Sequence, residues 1–151
     1  MVVAATPKAK EVKAAVCDST LLFKLIVAEP DSVHASSFVR AVRVIVPDFV
    51  FLEIGNALWT RIRRREFDFR QAKRLVDELR DLGFETLQSG PFVDRALEIA
   101  TSIDHPIYDC LYLAIAENLT IPFVTADKRL TTAVRRAGFN TADVRMLSEV
   151  S

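Results

Sequence analysis

The chain has 151 residues, half of them hydrophobic, which suits one globular domain with a substantial core and leaves no room for a second. Twenty Lys and Arg balance twenty Asp and Glu, so the molecule as a whole is no obvious polyanion binder. Two cysteines, Cys17 and Cys110, are too few for a disulfide scaffold or zinc knuckle, and with neither a long apolar span nor a leader-like start at MVVAATPKAK the expectation is a cytoplasmic protein with no membrane partner.

Residues 1 to 12 read as a flexible tail and residues 13 to 151 as the folded domain. KAAVC, residues 13 to 17, makes a short strand that stops at Asp18. A helix follows over residues 20 to 29 with Pro30 as its stop, and Asp31 caps a further helix to about residue 41. The β-branched run RVIV, residues 43 to 46, is a second strand ended by Pro47. Asp48 opens the next helix, which runs to Arg65. At about 3.6 residues per turn, Phe51, Ile54, Leu58 and Ile62 fall on one side of it, and Glu53, Asn56, Thr60 and Arg64 on the other. Trp59 is expected in the core, with a homodimer interface on this helix as its alternative role.

Residues 68 to 82 form an amphipathic helix ending at Gly83, Phe84 to Leu87 a third strand, and residues 91 to 102 a helix with Pro91 at its start. YDCLYLAIAENL, residues 108 to 119, is apolar nearly all round, the mark of a helix buried on several sides; Asp109 is its charged exception. IPFVT, residues 121 to 125, gives a fourth strand, then Asp127 and a helix to Gly138, and residues 143 to 146 an edge strand. This alternation predicts an α/β domain: a central parallel sheet of four to five short strands with helices on both faces.

In open parallel sheets, ligand sites form beyond the carboxyl ends of the strands. Asp18 and Asp127 sit at such ends, and Glu53 and Asp109 reach the same crevice from helices. Singly, each acid reads as a helix cap, a surface charge or a first-turn acid. Four uncompensated carboxylates together are tenable only with protons or bound cations, which points to Mg²⁺ or Mn²⁺. A cysteine nucleophile would need a basic partner, and with only His34 and His105 present both thiols are read as buried small side chains. From Arg61 to Arg74 seven basic residues face two acidic ones, a local surplus of five, which is either a phosphate-binding patch or a solvated helix end. A haloacid-dehalogenase-type phosphatase would carry a second Asp two residues after the first, where Thr20 stands. A receiver domain would carry an Asp after the third strand, and none follows Phe84 to Leu87.

Four segments in order carry a family resemblance: Val16-Cys17-Asp18-Ser19-Thr20, PDFVFLEIGN from Pro47 to Asn56, Tyr108-Asp109-Cys110-Leu111-Tyr112-Leu113-Ala114, and Val124-Thr125-Ala126-Asp127 with Leu130. Over residues 13 to about 147 the chain resembles the PIN-domain ribonucleases, in particular the VapC-type toxins of toxin-antitoxin pairs. The resemblance implies an acidic quartet of Asp18, Glu53, Asp109 and Asp127 holding one or two Mg²⁺ or Mn²⁺ ions, with Thr20, Asn56 and Thr125 as polar support. It implies RNA as substrate, cut by metal-activated water, and a small antitoxin as partner. Arg61, Arg64, Arg65, Lys128 and Arg129 are the candidate phosphate contacts. A departure from the pattern is His105-Pro106, which stands where a hydroxyl residue often caps the helix bearing Asp109. The rival reading is a PIN-fold module that binds RNA or protein without cleaving it.

Overall fold

The run Ala14–Cys17 pairs as a strand (β1) on both of its edges, because its side chains are buried on both faces of a sheet and leave no solvent-facing side. The computed structural model describes residues 11–150; the expected tail over residues 1 to 12 lies outside these apart from its last two residues. After β1 come helices α1 (Ser19–Ile26) and α2 (Ser32–Ala41), strand β2 (Arg43–Pro47), helices α3 (Val50–Arg63) and α4 (Phe69–Asp81), and strand β3 (Glu85–Leu87). Helices α5 (Val93–Ile103) and α6 (Ile107–Leu119), strand β4 (Phe123–Thr125), helix α7 (Lys128–Arg136) and strand β5 (Val144–Met146) complete the chain.

All five strands are parallel, in the order β3-β2-β1-β4-β5, with Val16 opposite Ile45 on one side and Phe123 on the other. Chain order runs outward from β1 to β3 and then jumps back to β4, so the direction reverses between β1 and β4. Right-handed crossovers therefore put α1 to α4 on one face and α5 to α7 on the other. The predicted α/β sheet with helices on both faces is what the molecule adopts. Cys110 to Ala116 of α6 are all buried, as the all-round apolar pattern implied, and both free thiols are buried with them. No described helix is long and apolar enough to cross a membrane.

Several sequence expectations need correction. The first helix ends at Ile26, short of Pro30. Val27 turns extended and is itself buried, while the Ser32 hydroxyl accepts from the Glu29 N–H at 2.9 Å and donates to the Val27 carbonyl at 3.3 Å. Asp31 precedes α2 but caps nothing with its side chain, since its φ of 70° holds it in the left-handed region. Asp48 does not open α3. Its carboxylate accepts from the Ser89 N–H at 3.2 Å and from the Ser89 hydroxyl, joining the ends of β2 and β3. Pro91 sits in a short 3-10 turn, Gly90–Phe92, ahead of α5, and β4 starts two residues later than expected.

Trp59 is the largest miss: it is 52% exposed. Val50, Ile54 and Leu58 fill the inward side of α3, and Trp59, one residue on from Leu58, is rotated about 100° away from it. The Arg63 guanidinium lies 5.0 Å over its ring.

Candidate active site

Asp18 ends β1 with extended backbone and caps α1, accepting the Leu21 N–H at 3.1 Å. Oδ1 also takes the Thr20 hydroxyl at 2.7 Å, and Oδ2 takes the Thr125 hydroxyl from the end of β4. The strand pairing makes this last contact possible: β1 and β4 are neighbours at the reversal of strand order, so residues 107 apart in sequence meet side by side. Asp18 is only 3% exposed. Burial pushes its pKa up to about 6; the three donors pull it down and the Asp109 charge pushes it further up, so desolvation outweighs them.

Glu53, in the first turn of α3, accepts a hydrogen bond from the Tyr112 hydroxyl of α6. Tyr112 is fully buried, with Phe123 stacked at 5.7 Å and Phe49 edge-on at 5.6 Å, so the phenol is held in one place. Burial raises the Glu53 pKa to about 7. The Asp18 and Asp109 charges add to that rise, and the Tyr112 and Ser19 hydroxyls oppose it. The phenol, in turn, is pushed far above its ordinary range by burial and by the Glu53 charge, so it stays a donor.

Asp109, the third residue of α6, has Oδ2 at 2.7 Å from Nε2 of His105. Its partner is a carboxylate, so Nε2 is the donor. Pro106 at the helix start offers no capping side chain, and His105 ties this acid down from four residues upstream.

Asp127 is placed differently. Its Oδ1 accepts from the N–H groups of Arg129 at 2.8 Å and Leu130 at 3.2 Å, capping α7. It joins the rest through Thr125, whose Oγ1 takes the Asp127 N–H at 2.9 Å while donating to Asp18. Thr20 completes the lattice, accepting the Ala126 N–H at 3.2 Å.

Asp18, Glu53 and Asp109 thus feel one another's charge in one crevice, with Asp127 at its edge. Among the described residues, no group of three or more His, Cys, Asp or Glu side chains stands arranged to hold a metal ion, because each carboxylate is turned toward a protein donor. Thr20 and Thr125 lie in the crevice; Asn56 lies exposed, almost one turn beyond Glu53. Of the five basic candidates, Arg61 is engaged by Glu29 at 3.0 Å and Glu66 at 2.6 Å, whereas Arg64, Arg65, Lys128 and Arg129 are exposed.

Sequence reasoning missed Tyr112, His105 and Ser19. A signal existed for Tyr112, which lies three residues after Asp109 on the same helix, a spacing that shares a helix face; His105 lies ahead of that helix, outside its periodicity.

A family model described as PIN domain matches residues 15–135. Ribonuclease VapC1 of Mycobacterium tuberculosis, in strains CDC 1551 and H37Rv, is 32% identical over 89 residues, 58% of this chain and 65% of the relative, a little under two thirds of its length. The crystal structure of PAE2754 from Pyrobaculum aerophilum superposes with a TM-score of 0.67 at 22% identity, covering 94% of this chain and 88% of that one. A member of the VapBC family of toxin-antitoxin systems, VapBC-5 from Mycobacterium tuberculosis, gives 0.53 at 15% identity, covering 88% and 96%. At these identities the two structures speak to the fold alone.

Proposed function

The chain belongs to the PIN-domain family, and from that premise we propose that it is a metal-dependent endoribonuclease, the toxin component of a toxin-antitoxin pair. The observation that carries the reading is the convergence of buried Asp18 with half-buried Glu53 and Asp109 at the reversal of strand order. Its donors are all oxygens, the set that suits Mg²⁺ or Mn²⁺. Asp18 and Glu53 hold protons unusually tightly, and a divalent cation relieves the same repulsion and desolvation.

Mg²⁺ is ordinarily held by one or two carboxylates with water completing the shell, so the quartet of Asp18, Glu53, Asp109 and Asp127 takes one or two ions partly through water. Such a cation, when bound, supplies an activated water and neutralises the leaving oxygen of an in-line phosphodiester displacement, leaving a 5′-phosphate. The chain's own groups orient the acids: Thr20 and Thr125 fix both Asp18 oxygens, Tyr112 holds Glu53, and His105 holds Asp109. Asn56 adds polar support at the rim. Arg64, Arg65, Lys128 and Arg129 hold flanking phosphates of single-stranded or looped RNA; Arg61, already paired, is left out of this set. Leu52 and Trp59, two turns apart and exposed on α3, support a homodimer through that helix, and the small antitoxin covers the acidic crevice.

The test is incubation of a generic RNA with the purified chain, with Mn²⁺ and with a chelator, beside Asp18→Asn. Cleavage that needs the metal and is lost in the variant is the expected result. RNA binding without cleavage by the wild-type chain would replace the nuclease with a binding module.

A further inference from the structure

Three of the four proposed ligands have a neighbour on the wall of one open cavity of about 350 Å³. Ser19 and Thr20 follow Asp18, Ala126 precedes Asp127, and Ala57 lies one turn beyond Glu53; Phe23, Lys24 and Glu29 close the far side. The volume falls within the roughly 300–1,000 Å³ of ordinary ligand pockets. The acids do not line it themselves; their chain neighbours do.

Lys24 and Glu29 of that far wall form, with Arg61, an ion triad that the proposed catalysis does not use. Glu29 has Oε2 at 3.3 Å from Lys24 Nζ and Oε1 at 3.0 Å from Arg61, and the three side chains are only 14%, 26% and 30% exposed for Lys24, Glu29 and Arg61. Every member is held. Lys24 Nζ also donates to the Pro30 carbonyl at 3.1 Å, the Glu29 N–H is bound by Ser32, and the Arg61 guanidinium lies 5.7 Å over the Phe23 ring. Withdrawing such charges from water is costly, and holding them fixed at a cavity wall leaves a carboxylate and an ammonium presented side by side. Each Glu29 oxygen keeps a free lone pair, and Lys24 has a third donor.

A carboxylate beside an ammonium matches an edge with two neighbouring N–H donors followed by a carbonyl oxygen. Among the RNA bases, guanine carries that order on its Watson–Crick edge: N2–H and N1–H, then O6. Adenine and cytosine offer one donor group beside an acceptor, and uracil one donor between two acceptors. Unpaired bases in RNA are read on this edge. We propose that the cavity is a subsite for an unpaired guanine adjoining the scissile phosphate, with Glu29 accepting from N1–H and N2–H and Lys24 donating to O6. The small side chains of Ala57 and Ala126 leave room for the base. The assignment rests on the nuclease reading for its place beside a phosphodiester, but not for the base it selects.

The experiment is titration of the full chain, with Mn²⁺ present, by the 5′-monophosphates of guanosine, adenosine, cytidine and uridine, alongside mapping of cuts in adenine-rich oligonucleotides bearing a single guanine. Guanosine monophosphate should bind at least tenfold more tightly than the others, and cuts should fall next to the guanine. Glu29→Gln should bring the four nucleotides to within threefold of one another. Ala57→Leu, which fills the cavity and keeps all three charges of the triad, should do the same, so the test survives if the first variant fails to fold. Equal affinities in the wild-type chain, or a guanine preference kept in both variants, overturns the subsite. Metal-dependent cuts placed without regard to guanine sink the subsite and leave the nuclease reading standing. A guanosine preference in a chain that cleaves no RNA does the reverse.

Discussion

Asp18 and Asp127 come from the same local grammar, a short buried strand, then an acid, then a helix whose first N–H groups the acid caps. Their surroundings part them. Asp18 faces α3 and α6, which bring Glu53 and Asp109 toward it, and it lies almost wholly out of water. Asp127 is half-buried, shares no comparable neighbours, and is followed by Lys128 and Arg129. A carboxylate's local role as a cap is set by its own strand and helix, whereas its chemistry is set by what other elements bring to it.

Substitution should split the two acids most widely in catalysis. Asp18→Asn is expected to reduce RNA cleavage by more than about 100-fold, beyond the roughly 10–100-fold typical of groups that only orient a metal ligand, and Asp127→Asn should fall within that narrower range. Single-turnover rates with Mn²⁺ measure both, and equal losses would erase the distinction. Thr125→Val, which removes the hydroxyl bridging the two acids, should also lose about 10–100-fold.

Stability should move in opposite directions at the two positions. The raised pKa of Asp18 means that its favourable share of stability is complete below about pH 3.8 and is lost as pH climbs through about 6, an amount on the order of 3 kcal/mol at most. Glu53 acts with the same sign, its loss extending to about pH 7. Thermal melts of the metal-free chain should therefore show stability falling between pH 4 and 7. Asp18→Asn should melt higher at pH 7.5, by about 2–4 °C for each kcal/mol recovered. A pH-independent melt would mean that the cluster carries no strain. Asp127→Ala, in contrast, should lose about 1 kcal/mol through the missing cap. The smallest effect concerns charge at the rim. Replacing Arg64, Arg65, Lys128 and Arg129 by Gln on the Asp18→Asn background should flatten the dependence of log K for RNA on log salt by up to about 0.7 per lost contact. Arg61→Gln alone should leave that slope unmoved.

The alternation of strands and helices was legible because period and punctuation are local: the β-branched RVIV and the amphipathic stretch from residue 68 that stops at Gly83 each declare themselves within a few residues. The crevice acids could be nominated for the same reason, since each sits where an apolar segment stops. What escaped was tertiary, Trp59 apart. The stripe through Ile54 and Leu58 was readable, and Trp59, one residue off it, was expected in the core against that pattern; nothing near Asp48 says that Ser89 will be there to bind it. Nor can a helical pattern reveal that Tyr112 and Glu53, 59 residues apart, will share a proton donor and acceptor.

The pairing of β1 with β4 sets a timetable for assembly. Two hydrogen-bonded strands separated by more than a hundred residues close one of the longest loops in the chain, and such contacts are slow to form. During synthesis, β1, β2 and the first four helices leave the ribosome well before Thr125 does. Until β4 docks, Asp18 lacks its partner hydroxyl and the crevice has only one wall. The nascent chain must hold the exposed edge of β1 unpaired through most of its translation, a period in which that edge is open to strands of other molecules.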